Sequence, residues 1–548
     1  MMPAPRPIAE VARGLDLGDE EWAPYGRLMA KVRLGALQAR RDRPSGKLVV
    51  VSCITPTPAG EGKTTVTIGL GQALRRIGSR AVIALREPSI GPTMGQKGGG
   101  TGGGRSLLAP MEEINLHFTG DFHAVTSAHN LLAAVIDNHL FHGNQLRIDP
   151  RQVFWRRVMD MNDRALRQMV LGLGGRQQGF PREDGFLITA ASEVMALLCL
   201  AQDFADLKAR LARILVALTF DGKPVLAGEL RVTGAMAALL RDAVHPNLVQ
   251  TSEGGPALVH GGPFANIAHG ANSVIATKLG LKLGDLCVTE AGFGFDLGAE
   301  KFFDIKCRYA GLRPDAVVLV ATARALKYHG GVPVKDLDHE NPEAIRRGMA
   351  NLEQHVEAIR LFRVPLIVAL NRFPSDTDRE LMLVQERCAA LGVRAEVAEV
   401  FTQGGEGGEP LARGLLDLLE RERSDFTPLY DWSLPIKEKI GMIAEKMYGA
   451  WGVAYTRQAD RQVGQAEGLG YGGLPICMAK TPRSLSDDPA VYGRPRDFTV
   501  TVSELRISAG AGFLVPITGE IMTMPGLPAA PNAERIDVDE EGRITGLF

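Results

Sequence analysis

Residues 48–65 read LVVVSCITPTPAGEGKTT. Leu48 to Ile54 is apolar and rich in valine, the pattern of a strand buried on both faces of a parallel sheet. Thr65 to Ile77 carries apolar residues at helical spacing, and Gly78 follows as a stop. Between them Thr57, Pro58, Ala59, Gly60, Glu61, Gly62, Lys63 and Thr64 form a candidate phosphate-binding loop. Gly60 and Gly62 let the backbone curl so that successive N–H groups face one anion, and the following helix points its positive end at the same place. Lys63 would reach the terminal phosphates of a nucleoside triphosphate, and the Thr64 hydroxyl would hold its Mg²⁺. The usual pattern, G-x-x-x-x-G-K-[ST], has glycine where this chain has Thr57.

Outward from this loop, apolar strands recur between helix-like stretches. The candidates are 48–54, 80–85, 186–190, 286–290, 316–322 and 365–370. Alternation of this kind predicts an α/β fold of the P-loop NTPase type. Its sheet is expected to be mostly parallel and flanked by helices, with additional smaller α/β domains. In such folds ligands bind beyond the carboxyl ends of the strands. The segments that follow the strands are rich in polar, glycine and aromatic residues: REPSIGPTMGQKGGGTGGGR, AGFGFDLGAEKFFD, ARALKYHGG and NRFPSDTD. The glycine run Gly98 to Gly104 is read either as a flexible linker or as a loop on the substrate side. Residues 1–45 are expected to be helical, and 436–456 to form one helix.

The 548 residues suggest two to four domains. A net charge of −1 gives no electrostatic footprint for nucleic acid. The six cysteines are scattered, with no C-x-x-C pair, so a disulfide framework or zinc ribbon is not expected. No segment reaches the roughly 18 uninterrupted apolar residues of a membrane span. The N-terminus MMPAPRPIAEVARG lacks the apolar region of a signal peptide, so a cytoplasmic location is expected. The stretch FTPLYDWSLP at 426–435 marks a domain boundary, with a small domain or lid at 426–548.

Arg86 and Glu87 close the second strand. The arginine either holds a carboxylate or phosphate in a bidentate fork or forms a structural ion pair. Five histidines crowd residues 117–142 (His117, His123, His129, His139 and His142) without metal-ligand spacing. They read as hydrogen-bonded residues of a packed helix and loop. Asp121, in TGDFHA, is a candidate for binding a cation or orienting a substrate amine. Phe373, beside Pro374, and Phe401 each follow a strand. They either sandwich a flat heterocycle or belong to a core or interface.

With these residues in view, the chain resembles the formate–tetrahydrofolate ligases over nearly its whole length. The resemblance rests on TPTPAGEGKTT at 55–65, REPSIGPTMGQKGGG at 86–100, TGDFHAVTSAHNLLAA at 119–134 and HGGPFANIAHG at 260–270. It extends through EAGFGFDLGAEKFFDIKC at 290–307, ALNRFPSDT at 369–377, GGEGG at 404–408 and MPGLP at 524–528. It implies a monofunctional enzyme joining formate to tetrahydrofolate with MgATP, through formyl phosphate, to give 10-formyltetrahydrofolate, ADP and phosphate. It further implies that Lys63 neutralises charge on the transferring phosphoryl group and that Arg86 grips formate and then formyl phosphate. Glu87 and Asp121 would lie near the reacting groups, with a monovalent cation site (potassium or ammonium) beside them. Phe373, Pro374 and Phe401 would hold the pterin; the family commonly has tryptophan where this chain has Phe401. A homotetramer and three domains (1–310 for nucleotide, 311–425 on the folate side, 426–548 at the C-terminus) are also implied. The competing reading is a P-loop ATPase acting as a conformational switch for a protein partner. Such a switch needs neither Arg86 nor paired phenylalanines aimed at a flat ligand.

Overall fold

A computed structural model describes residues 4–96, 99–519 and 521–547. The strand at 48–54 lies at the heart of a large mixed sheet. Ten strands form the spine of that sheet among the described residues. In chain order they are β1 (Trp22–Tyr25), β2 (Met29–Val32), β3 (Lys47–Cys53), β4 (Ala81–Leu85), β5 (Asn247–Thr251), β6 (Pro256–Val259), β7 (Leu286–Gly294), β8 (Ala316–Ala321), β9 (Leu366–Asn371) and β10 (Ala395–Ala398). In space they run β1-β2-β5-β6-β4-β7-β3-β8-β9-β10. From β6 to β10 every neighbouring pair is parallel. From β1 to β6 every pair is antiparallel. The chain is therefore α/β, with a large, mostly parallel sheet flanked by helices.

Strand β3 shows why the sheet is covered on both faces. Val49, Val51 and Cys53 belong to one apolar core with Val66, Leu70 and Leu74 of helix α1 (Lys63–Arg76). Leu48 and Val50 point the other way, into the core that holds Phe122 and Val125 of helix α2 (Asp121–Phe141). The period of two splits one run of apolar residues between two layers. Each side chain taken fully out of water there contributes roughly 1.5–3 kcal/mol.

Three sequence expectations change. Residues 1–45 are not mainly helical: short helices at Ile8–Arg13 and Leu34–Ala39 flank the β1–β2 hairpin. All four residues of β2 are buried, and Lys31 and Ala30 pair with Asn247 and Leu248 of β5. Tertiary pairing, which local periodicity does not report, decides this segment. Phe186–Ile188 is a strand, but it pairs with Arg157–Met159 outside the main sheet. The segment 436–456 is not one helix. It runs Ile436–Ile443, widens to a π-helical turn at Ala444–Tyr448, stops at left-handed Gly449 (φ +77°) and continues as the strand Gly452–Tyr455. Strands β5 and β6 are not among the sequence candidates, whereas β10 is the strand expected ahead of Phe401.

β8 pairs with β3, so strands from either side of residue 310 share one sheet. Beyond residue 426 the strands Gly452–Tyr455, Thr499–Ser508 and Phe513–Thr518 form a separate three-stranded sheet. Its hairpin turn docks on the body: Glu193 accepts the N–H groups of Gly510 (2.7 Å) and Ala511 (3.1 Å), and Arg210 donates to the Ala511 carbonyl (3.0 Å). Lys480, fully buried, forms an ion pair with Asp296 at 3.2 Å. No helix among the described residues is long and apolar enough to cross a membrane.

The Glu193 contact carries a pH signature. Burial pushes its carboxyl up to about 7, against the pull of the two backbone N–H donors. The folded protein thus holds this proton more tightly than the unfolded chain. The stabilisation is complete below the ordinary value of 4.5 and is lost as pH rises through about 7. Between about pH 5 and about pH 8 it should cost ~1–3 kcal/mol. Urea unfolding at both pH values should show the loss, and Glu193→Gln should flatten it. Equal pH dependence in both proteins would remove Glu193 as its source.

Candidate active site

The carboxyl ends of β3, β7, β8 and β9 converge on the loop 54–62. Gly60 and Gly62 are left-handed, at φ +82° and +67°. A Cβ on Gly62 would lie 2.5 Å from Asn371 Nδ2, so the position needs glycine for space as well as for conformation. Asn371, the last residue of β9, donates to the Glu61 carbonyl at 3.0 Å. The Glu61 side chain folds back inside the loop, accepting the Thr57 N–H at 2.6 Å and the Thr322 hydroxyl just beyond β8. Burial raises the Glu61 carboxyl above its ordinary range, and these hydrogen bonds oppose the rise. Thr57, the departure from the glycine pattern, is therefore buried and held by a residue of the loop itself. Pro58 and Ala59 are exposed at the loop's tip.

Helix α1 begins at Lys63, so Lys63 and Thr64 sit at its positive end. Lys63 Nζ donates to the Phe293 carbonyl at 3.4 Å, and Phe293 is itself left-handed at φ +56°. Thr64 Oγ1 donates to Glu290 Oε2 at 2.9 Å. Glu290 is buried on β7, the strand lying between β3 and β4. Its other oxygen is 4.0 Å from the Arg86 guanidinium. Arg86 follows β4 and donates to the Pro263 carbonyl at 3.1 Å, while its buried Nε has no partner. A Cβ on Gly292 would come within 3.0 Å of that guanidinium, so a bare backbone makes room for it. Burial lowers the Arg86 pKa and the Glu290 charge raises it again; an arginine stays protonated in either case.

Glu87 and Asp121 lie side by side and differ in their partners. Asp121 opens α2 and has both oxygens engaged: Lys31 Nζ at 2.5 Å and Asn247 Nδ2 at 2.8 Å. Lys31 and Asn247 are cross-strand partners on β2 and β5, so the sheet's antiparallel edge grips this carboxylate. Glu87 is buried with Oε2 unpartnered. Burial, then the Asp121 charge, raises its carboxyl well above the ordinary range. Of the two, Glu87 presents the open oxygen.

The aromatic residues leave adjacent strands. Asn371 of β9 pairs with Ala398 of β10, and Arg372 N–H donates to the Ala398 carbonyl at 3.1 Å. Phe373 is half-buried beneath the Arg324 guanidinium, 5.2 Å from its ring centre, and Pro374 is exposed. Phe401 is 49% exposed on the short helix Val400–Gln403, a large apolar ring left facing water. Its carbonyl accepts the Arg105 N–H at 2.8 Å, and a Cβ on Gly103 would lie 3.2 Å from the ring edge. The glycine run thus packs beside Phe401; Gly98, its first residue, lies outside the described residues.

Among the histidines, His129 is buried, stacked on Trp155 at 4.0 Å, and bonded to Ser192 and to the Arg156 carbonyl. Burial lowers its pKa to about 3. Among the described residues no group of three or more His, Cys, Asp or Glu side chains could hold a metal ion. The hard oxygen donors suited to Mg²⁺ beside the loop are the Thr64 hydroxyl and the Glu290 carboxylate. Glu290 escaped the sequence reading although it ends the strand motif LCVTE; its distance of 226 residues from Thr64 hid the pairing.

A scan against protein families matches the formate–tetrahydrofolate ligase family over residues 2–548, essentially the whole chain. Members of that family are ATP-dependent ligases acting on formate and tetrahydrofolate in one-carbon metabolism. A match of this extent shows that the chain belongs to the formate–tetrahydrofolate ligase family.

Proposed function

We propose that the chain makes 10-formyltetrahydrofolate by way of formyl phosphate. A formate oxygen bonds to the γ-phosphorus of ATP as the bond to the bridging oxygen breaks, releasing ADP. The tetrahydrofolate N10 lone pair then bonds to the formyl carbon, the carbon–oxygen bond to phosphate breaks, and N10 gives up its proton. Activation works because phosphate is a far better leaving group than oxide. Phosphoryl transfer itself depends mainly on positioning and charge neutralisation.

In this reading residues 57–64 form a P-loop NTPase-type cradle for MgATP. Lys63 neutralises the transferring phosphoryl group, and Thr64 shares the Mg²⁺ that the nucleotide brings. Arg86 holds formate and then formyl phosphate. Glu87, with its free oxygen, is better placed than Asp121 to exchange a proton or to meet a monovalent cation (potassium or ammonium), because Lys31 and Asn247 already occupy Asp121. Phe373, Pro374 and Phe401 hold the pterin. The observation that carries the reading is Glu290, which touches Thr64 with one oxygen and faces Arg86 with the other. It sets the anion-gripping arginine within one side chain of the phosphate loop. A homotetramer in the cytoplasm, with functional units at 1–310, 311–425 and 426–548, completes the proposal. A conformational-switch ATPase gains no support beside a whole-chain match to a ligase family.

ATP consumption should require formate and tetrahydrofolate together at full rate, with one 10-formyltetrahydrofolate formed per ADP. A coupled assay omitting each substrate in turn checks this. Undiminished ATP turnover without either substrate would overturn the ligase route.

A further inference from the structure

We propose that Glu290 is a positioning residue that makes nucleotide binding depend on magnesium. It holds Thr64 and Arg86 in place before the nucleotide arrives and shares the metal with Thr64 once it is bound. The inference rests on the MgATP reading above, but it concerns a residue that no loop motif includes. Glu290 is buried on β7, between the strand that carries the phosphate loop and the strand that carries Arg86. One oxygen accepts the Thr64 hydroxyl at 2.9 Å and the other is 4.0 Å from Arg86. A carboxylate so placed repels the phosphates of a bare nucleotide. That repulsion becomes attraction when a divalent cation lies between them.

The pairing of a hydroxyl with a carboxylate oxygen is the hard donor set that Mg²⁺ accepts while keeping several of its waters. Glu290 has a second task, which is to face the Arg86 guanidinium. Arg86 Nε has no partner of its own, so Glu290 and the Pro263 carbonyl account for the polar surroundings that orient the fork. A neutral acceptor at 290 would keep the hydrogen bond to Thr64 and lose only the charge.

The test compares Glu290→Gln with the wild type by calorimetric titration of ATP, once with magnesium in excess and once with magnesium removed by EDTA. Affinity for MgATP should fall at least about 10-fold, since losing even an outer-shell metal partner costs about 10–100-fold, while affinity for metal-free ATP stays within about 3-fold or tightens. Thr64→Val, which removes the hydroxyl, should show the same magnesium-selective loss and serves if Glu290→Gln does not fold. Equal losses with and without magnesium, or no loss in either condition, would overturn the inference, since a merely structural role cannot tell the two nucleotide forms apart. The ligase reading fails separately: a wild type that binds MgATP yet forms no 10-formyltetrahydrofolate sinks that reading and leaves the magnesium dependence standing.

Discussion

Replacing Arg86 by alanine is expected to lower turnover about 10³-fold or more while the affinity for MgATP changes only a few-fold. The expectation follows from where the guanidinium sits. It faces Glu290, donates to Pro263 and leaves Nε unpartnered at the end of β4, away from the loop backbone that would cradle the phosphates. An arginine that stabilises charge on a transferring phosphoryl group acts on the transition state more than on the bound nucleotide, with effects of about 10³–10⁵ in comparable cases. Arg86→Lys separates charge from geometry. It keeps a cation beside Glu290 but loses the planar fork, so most of the rate should still be lost. Steady-state kinetics with varied formate, together with equilibrium MgATP binding, checks both variants. Near-normal turnover in Arg86→Ala would remove the assigned role.

Replacing Lys31 by methionine should destabilise the protein by about 3–5 kcal/mol, the cost of leaving a buried charge without its partner. The Lys31 and Asp121 side chains are only 9% and 3% exposed. Losing the ammonium leaves Asp121 with the Asn247 amide alone, beside a second buried carboxyl, Glu87. Urea unfolding measures the loss. The double variant Lys31→Met with Asp121→Asn should recover more than half of it, because a neutral pair removes the orphaned charge. A loss below about 1 kcal/mol in the single variant would show that Asp121 draws its stability from elsewhere.

What could be read from sequence divides along the range of the interactions. The strand β3, its loop and helix α1 were legible because their pattern is local: a valine run, two glycines, then a helical period. The strands β4, β8 and β9 were legible for the same reason. The β1–β2 hairpin was not, because only pairing to β5, more than 200 residues away, makes β2 a buried strand. The same limit applied to the site. Lys63, Arg86, Glu87 and Phe373 follow strands and stood out. Glu290 and Lys31 act through partners 226 and 90 residues distant, and no spacing rule connects them. The sequence also suggested comparable roles for Glu87 and Asp121. Only the packing distinguishes a carboxyl with an open oxygen from one enclosed by the sheet edge.

The N-terminal hairpin bears on how this enzyme is handled as a reagent. The 46 residues ahead of β3 invite deletion, or replacement by a fusion partner. Yet β2 supplies the ammonium that neutralises Asp121, and β1 covers the flank of the sheet. A tag has to leave Arg6 in place, because its backbone N–H and carbonyl bond the Gln250 side chain of β5. A trimmed form starting at β3 would be missing a counter-ion for a carboxylate encoded some 75 codons downstream, and would expose a β5 edge to other chains.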